Sequence, residues 1–236
     1  MVFLVAELGV NWNGDFELVQ KMMLNAKTLG CNAVKFQAFN ETILGNHPQL
    51  PLLMKSTITE KNIKRIDQIA NDIGIEWFCT PMYPEAVSFL NPFVKRFKIR
   101  ELDGRILLKD QQTPLIEAVI NTGKEIFVSS EKSPEFCKYY HNSNIKWLYC
   151  VPKYPCSLDE INFKEISNFH GYSNHCTDVT APVTAAILGA KIIEVHVTVD
   201  KTKDYVDNNV SFDFSELKLL INEIEKLNEK KLMKCE

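Results

Sequence analysis

Hydrophobic and polar positions along the chain fall into two alternating rhythms. Eight short runs of apolar, β-branched or aromatic residues recur: VFLVA (2–6), NAVKF (32–36), EWFCT (76–80), RFKIR (96–100), EIFVS (125–129), KWLYC (146–150), HGYSN (170–174) and KIIEVHV (191–197). Each has the length and composition of a β-strand. Between them apolar residues return every three or four positions, as in DFELVQKMMLNAKTLG and SFDFSELKLLINEIEKL, which predicts amphipathic helices. Asp15 is placed to cap the first helix and Gly30 to close it, while Gly74 and the Thr122-Gly123 pair end two others. The stretch 38–58 is long for a strand-to-helix loop and predicts a lid or a short extra helix.

Strand and helix in alternation imply a parallel sheet, because each return to the same sheet end needs a crossover. Eight repeats predict closure into a (β/α)8 TIM barrel, an α/β fold of one domain over residues 1–228 with a polar tail at 229–236. An open doubly wound sheet would also alternate, but with fewer strands, and no GxGxxG turn follows the first run.

Composition narrows the function classes. With 236 residues, 45% hydrophobic and 24% charged, the chain is an ordinary globular sequence long enough to bury a sizeable core without staples. A formal charge of −3 gives no footprint for nucleic acid or an anionic membrane, so a small-molecule site is expected. Seven cysteines without a CxxC pair argue against a disulfide framework or zinc ribbon and point to a reducing cytoplasm. The N-terminal MVFLVAELGV lacks a basic start and carries Glu7, unlike a signal peptide, and no run reaches the ~18 apolar residues of a membrane span.

In a barrel of this kind the active site forms at the C-terminal tips of the strands. Those tips carry Glu7, Lys35 with Gln37, Thr80, Lys98 with Arg100, Ser129 with Ser130, Tyr154, His175 and His196. The last two end neighbouring strands, so two imidazoles can converge, a pairing that suits a divalent metal with positions left open for water or substrate oxygens. The alternative for each histidine is a satisfied core imidazole. Lys35 and Lys98 stand in apolar strands, where an ammonium needs an anion beside it. That anion is either a carboxylate or phosphate ligand or an internal partner such as Glu7 or Asp103, and the sequence leaves both open. Tyr154 reads equally as a core aromatic, and Arg100 and Lys132 as solvated cations.

An ordered set of segments resembles one family: AELGVNWNGD (6–15), AVKFQAF (33–39), CTP (79–81), FKI (97–99), CVPKYP (150–155), GYSNH (171–175), AAILGAKIIEVHVTVD (185–200) and DNNVSF (207–212) are similar to the barrel domain of N-acetylneuraminate (sialic acid) synthases. The resemblance runs over essentially the whole chain. It implies condensation of phosphoenolpyruvate with an open-chain N-acylated sugar aldehyde such as N-acetylmannosamine, giving a sialic-type acid and inorganic phosphate. It implies a divalent metal, Mn2+ first with Mg2+, Co2+ or Zn2+ as alternatives, on His175 and His196. Lys35, Thr80 and Lys98 would hold phosphoenolpyruvate, Gln37, Ser129, Ser173 and Asn174 would line the same region, and Glu7, Tyr154 and Asp207 would meet the sugar.

The departures are as informative. Trp12 stands where the family pattern has a histidine, and KIRELD (98–103) replaces KIxSGE, putting Glu101 where a phosphate-facing Ser belongs. SSEK (129–132) replaces STGM, Pro152 replaces an Asn, and SNH replaces SDH. Arg100 and Lys132 are candidates to supply the phosphate contacts so lost. Typical members also carry a C-terminal antifreeze-like domain that closes the partner's sugar site. The sequence given stops at NEKKLMKCE, so the sugar pocket is expected to be more open, or completed by a second copy in a homodimer or by a separate protein. Two other readings compete: a metal-dependent aldolase or lyase acting on pyruvate, and a non-catalytic sugar- or partner-binding barrel.

Overall fold

The computed structural model describes residues 1–232 and shows a closed barrel of eight parallel strands in the order of the chain. They are β1 (Phe3–Gly9), β2 (Ala33–Ala38), β3 (Glu76–Pro81), β4 (Arg96–Ile99), β5 (Glu125–Ser130), β6 (Ile145–Tyr149), β7 (Gly171–Asn174) and β8 (Ile192–His196). Every sequence-predicted strand is present, shifted by a few residues at its ends. The last four residues, among them Cys235 and the end of the expected polar tail, lie outside the described residues.

The helices form where the caps and periodicity place them. In α1 (Phe16–Leu29), Asp15 Oδ1 accepts the backbone N–H groups of Glu17 and Leu18 at 2.8 and 3.2 Å, satisfying donors that the first turn leaves orphaned. Gly30 closes it in the left-handed region at φ 105°, where a Cβ is costly. The long stretch after β2 forms two single turns, α2 (Glu41–Leu44) and α3 (Leu50–Leu53), before α4 (Ile63–Ile73), which ends at Gly74 as expected. After α5 (Pro84–Leu90), the β4–β5 connection holds both α6 (Glu101–Leu107) and α7 (Pro114–Asn121).

The regular alternation breaks between β5 and β7. The β5–β6 segment contains only turns, and β6–β7 holds two 3-10 segments, Leu158–Glu160 and Phe163–Asn168. Pro134, Pro152 and Pro155 fall in these segments, where a missing N–H and a fixed φ oppose an α-helix. α8 (Thr180–Ile187) and α9 (Phe214–Leu232) complete the ring. No helix among the described residues is long and apolar enough to cross a membrane.

Inward-facing side chains stack in layers, as period-two alternation requires. At the N-terminal end, the Arg96 guanidinium lies 4.5 Å over the Phe3 ring and 5.1 Å over Phe127, and its Nε is 2.6 Å from Glu76 Oε1. Phe78 meets Phe127 edge to face at 5.6 Å. This layer packs the N-terminal end of the barrel, and the cavity lined by the strand tips lies at the C-terminal mouth. Trp12, at the position where the resemblance expects a histidine, is fully buried beside Phe16 and Phe36 and belongs to the core between barrel and helices.

Candidate active site

Above the floor the lining changes from aromatic to charged. Lys98 from β4 and Glu194 from β8 meet at the barrel centre, with Nζ 3.0 Å from both carboxylate oxygens. Ser173, paired in register with Glu194 on β7, donates its hydroxyl to Glu194 Oε1 at 2.8 Å. Lys35 Nζ reaches Glu7 Oε1 at 2.8 Å, Thr80 Oγ1 at 3.2 Å and Glu194 Oε1 at 3.7 Å. Gln37 Nε2 donates to the same Glu7 oxygen at 2.8 Å. All four charged groups are buried, so acids and ammoniums alternate in a medium that strengthens each contact.

The sequence left the anion beside each lysine open, and the structure supplies it in both cases. Glu7 partners Lys35. Lys98 pairs with Glu194 and not with Asp103, whose carboxylate is taken by Arg100 Nε at 2.7 Å. Glu194 was missed in the sequence, although a signal was there: it lies two residues before His196 in KIIEVHV, and alternation puts both on one face. Burial pushes the Glu194 carboxyl upward, but the charges of Lys35 and Lys98 outweigh it and hold the group well below the usual carboxylate range. Burial lowers Lys98 below its ordinary value, with Glu194 opposing. For Lys35 the two glutamates win and the ammonium is raised.

The uppermost layer holds the two histidines. In register across β8, β1 and β2 lie His196, Glu7 and Lys35. His175 follows β7 directly, its ring centroid 5.6 Å from that of His196. His175 Nδ1 lies 2.6 Å from the Val151 carbonyl oxygen, which can only accept, so Nδ1 carries the proton and Nε2 has its lone pair free. Burial, reinforced by His196, drops its pKa to about 3 and keeps the imidazole neutral. His196 Nδ1 is 3.2 Å from Asp207 Oδ2. Burial pulls His196 down, but Asp207 and Glu7 outweigh it and raise this imidazole above its ordinary value in the metal-free chain. Tyr154, half exposed, packs against His175 at 4.0 Å and edge-on to His196 at 5.8 Å.

These donors fit a divalent metal. Two neutral-capable imidazoles face one another, one with its tautomer fixed by a backbone carbonyl, and the neighbouring Glu7 Oε2 is a buried oxygen without a hydrogen-bond partner. Among the described residues no three or more His, Cys, Asp or Glu side chains gather into a metal cage, so a metal held by the two imidazoles would need its remaining ligands from water or substrate.

The mouth encloses a cavity of about 130 Å³ lined by Glu7, Lys35, Gln37, Thr80, Lys98, Arg100, Ser129, Tyr154, Ser173, His175 and His196, together with Glu101 and Glu194. Asp207 joins it through His196. Two expected residues are not brought in. Asn174 faces outward between the inward Ser173 and His175, and its side-chain Nδ2 donates to the Cys176 carbonyl at 2.6 Å. Lys132 lines a separate, larger cavity of about 570 Å³ between α6 and the β5–β6 loop, beyond Glu101. That outer cavity lies outside the barrel mouth and away from both histidines.

Glu101, the residue standing where a phosphate-facing Ser was expected, does not present a bare charge. Its Oε1 accepts from Arg105 Nε at 2.5 Å, one turn along α6. A bare carboxylate here would repel a phosphate beside it, and Arg105 offsets that charge from the outer side.

A family model described as the NeuB family matches residues 22–234. The chain belongs to the NeuB family. Among its NeuB relatives is the N,N'-diacetyllegionaminic acid synthase of Legionella pneumophila, 31% identical over 94% of this chain and 71% of that one. The pseudaminic acid synthase of Campylobacter jejuni is 27% identical over 94% and 73%. Among solved structures, an N-acetylneuraminic acid (sialic acid) synthetase from Leptospira borgpetersenii, in complex with citrate, superposes with a TM-score of 0.84 at 28% identity, covering 97% of this chain and 84% of that one.

Proposed function

We propose that this chain is a phosphoenolpyruvate-dependent sugar-acid synthase. It joins the enol carbon of phosphoenolpyruvate to the aldehyde carbon of an open-chain N-acylated amino sugar, N-acetylmannosamine-like, and releases inorganic phosphate and a nonulosonic (sialic-type) acid. The observation that supports this most directly is the convergence, in one cavity at the barrel mouth, of two buried lysines, several hydroxyls and two facing imidazoles.

At about 130 Å³ the cavity is smaller than the roughly 300 Å³ or more of a site enclosing a drug-sized ligand, which suits one small anion. Lys35 with Thr80, and Lys98 with Ser129, Ser173 and Arg100, hold its carboxylate and phosphate. The acceptor lies across the open top, against Tyr154, Glu7 and Asp207. A divalent metal, Mn2+ first and Mg2+, Co2+ or Zn2+ as alternatives, would be held by His175 and His196 and supplies Lewis-acid polarisation of the acceptor aldehyde.

The chain's own groups supply the rest. The enol carbon attacks the aldehyde carbon, C2 becomes oxocarbenium-like, water adds there, and the C–O bond to phosphate breaks. Glu194, held ionised by two lysines, is a fixed negative charge close to where positive charge develops and is poorly suited to carry a proton. Glu7, with one oxygen unpartnered, is the carboxylate free to orient an acceptor hydroxyl or move a proton. Tyr154 is half exposed at the sugar side, so a second chain, a copy of this one or a separate protein, covers the acceptor. The protein works in a reducing cytoplasm, where its described cysteines remain buried free thiols.

The test is product identity. Incubation with phosphoenolpyruvate, Mn2+ and N-acylated hexosamines is expected to yield a nine-carbon 2-keto acid by mass spectrometry. Coupling of pyruvate to the sugar, with phosphoenolpyruvate left unused, would replace this reading with the aldolase or lyase one.

A further inference from the structure

The GVNWNGD segment contains a residue that none of the roles above absorbs. Asn11, just beyond β1, is 1% exposed, and both of its amide hydrogens and its amide oxygen make hydrogen bonds. Its Nδ2 donates to the Val197 carbonyl at 3.0 Å and to Ser211 Oγ at 2.9 Å. Its Oδ1 accepts the backbone N–H of Asp207 at 2.9 Å, and Ser211 Oγ donates in turn to the Asp207 carbonyl at 2.7 Å. Asn11 and Ser211 therefore grip both backbone polar groups of the residue whose carboxylate stands 3.2 Å from His196 Nδ1.

The space into which that carboxylate reaches is kept clear by Gly9, at φ 48° beside the irregularity that ends β1. A Cβ there would lie 3.2 Å from Asp207 Oδ2 and from Glu7 Oε1, and 3.3 Å from Gln37 Nε2. The end of β1 thus does two things: it leaves room for three polar side chains to converge and ties down the loop that delivers one of them.

We propose that Asn11 is a positioning residue: by holding the Asp207 backbone it keeps the Asp207 carboxylate 3.2 Å from His196 Nδ1, a buried nitrogen with no hydrogen-bond partner of its own, and so biases the imidazole toward the form with Nδ1 protonated. A group that orients a histidine from behind in this way is commonly worth about 10-fold to 100-fold in what the histidine does. The geometric part is independent of the reaction, and the kinetic part rests on the synthase reading.

The deciding experiment compares Asn11→Ala, Ser211→Ala and Ser211→Thr with the parent. In metal-free protein in alkaline buffer, 15N NMR reads the His196 tautomer. The parent and Ser211→Thr are expected to show a single Nδ1–H form, and Asn11→Ala and Ser211→Ala a mixture. In turnover, Asn11→Ala is expected to raise the acceptor KM about tenfold while the phosphoenolpyruvate KM stays within about twofold. A lowered melting temperature with the parent's tautomer and both KM values unchanged would make Asn11 merely structural and overturn the proposal. If Asn11→Ala does not fold, Asn11→Ser, which keeps a polar group at the site but is too short to reach the Asp207 N–H, decides by the same criteria. If the parent turns over no acceptor, the synthase reading fails, and the tautomer comparison still decides the positioning role.

Discussion

Lys98 and Glu194 face each other across the closed barrel, Nζ equidistant from both carboxylate oxygens at 3.0 Å, and neither side chain is more than 3% exposed. Removing one partner leaves a buried charge uncompensated, which costs far more than the pair contributes. Glu194→Ala is therefore expected to lose about 3–5 kcal/mol of stability in urea denaturation. Glu194→Leu combined with Lys98→Met should recover much of that loss. A double variant as unstable as the sum of its singles would show that the two groups are not coupled.

The neutrality of His175 has a consequence for pH. Its folded pKa, about 3, lies below the ordinary 6.5, so below 6.5 the unfolded chain takes up a proton that the folded chain refuses. Its contribution to stability is complete above 6.5 and is lost as pH falls toward 3, at up to about 1.4 kcal/mol per pH unit. In chelated protein, replacing His175 by Gln should flatten the stability profile over that window. An unchanged slope would mean His175 is protonated in the fold.

Gly171 lets β7 and β8 lie side by side. A Cβ there would sit 2.3 Å from the Ile192 carbonyl oxygen and 2.7 Å from Ile192 Cβ, contacts that only separation of the strands relieves. Gly171→Ala is expected to cost about 3 kcal/mol and to disturb the spacing of His175 and His196. Chemical denaturation checks the first, and a fully stable variant would contradict the packing described.

Much of this architecture was legible in the sequence, and the exceptions have physical reasons. Eight strands emerged because each is a short apolar run bounded by breakers, and Asp15, Gly30 and Gly74 marked helix ends by chemistry that depends only on neighbours. The helix-free β5–β6 and β6–β7 connections were less visible, since short segments carry too few turns for periodicity to speak. At the site, tip residues could be named strand by strand, but which lysine meets which acid depends on strands far apart in sequence. Lys98 and Glu194 are 96 residues apart and meet only because the barrel closes. Asn174 failed to enter the cavity for a local reason, the alternation that turns its neighbours inward, and Lys132 because the loop after β5 carries it to the outer cavity.

Arg105 tempers Glu101 at the phosphate side. Arg105→Gln leaves the Glu101 carboxylate uncompensated and is expected to raise the KM for phosphoenolpyruvate about two- to fivefold, a small effect because the guanidinium is half exposed and screened. Glu101→Ser should lower that KM. Initial-rate kinetics check both, and opposite or absent shifts would place Glu101 away from the bound phosphate.

The central claim is that the two lysines hold phosphoenolpyruvate while the two histidines serve the acceptor beside it. The measurement that tests it most directly is phosphate release from phosphoenolpyruvate by purified protein with Mn2+ and a panel of N-acylated hexosamines, against a chelated control and against His196→Ala. Release that requires both sugar and metal, and that disappears in His196→Ala while the barrel stays folded, is the result the account predicts. No release with any acceptor, from protein shown to bind Mn2+, would contradict it.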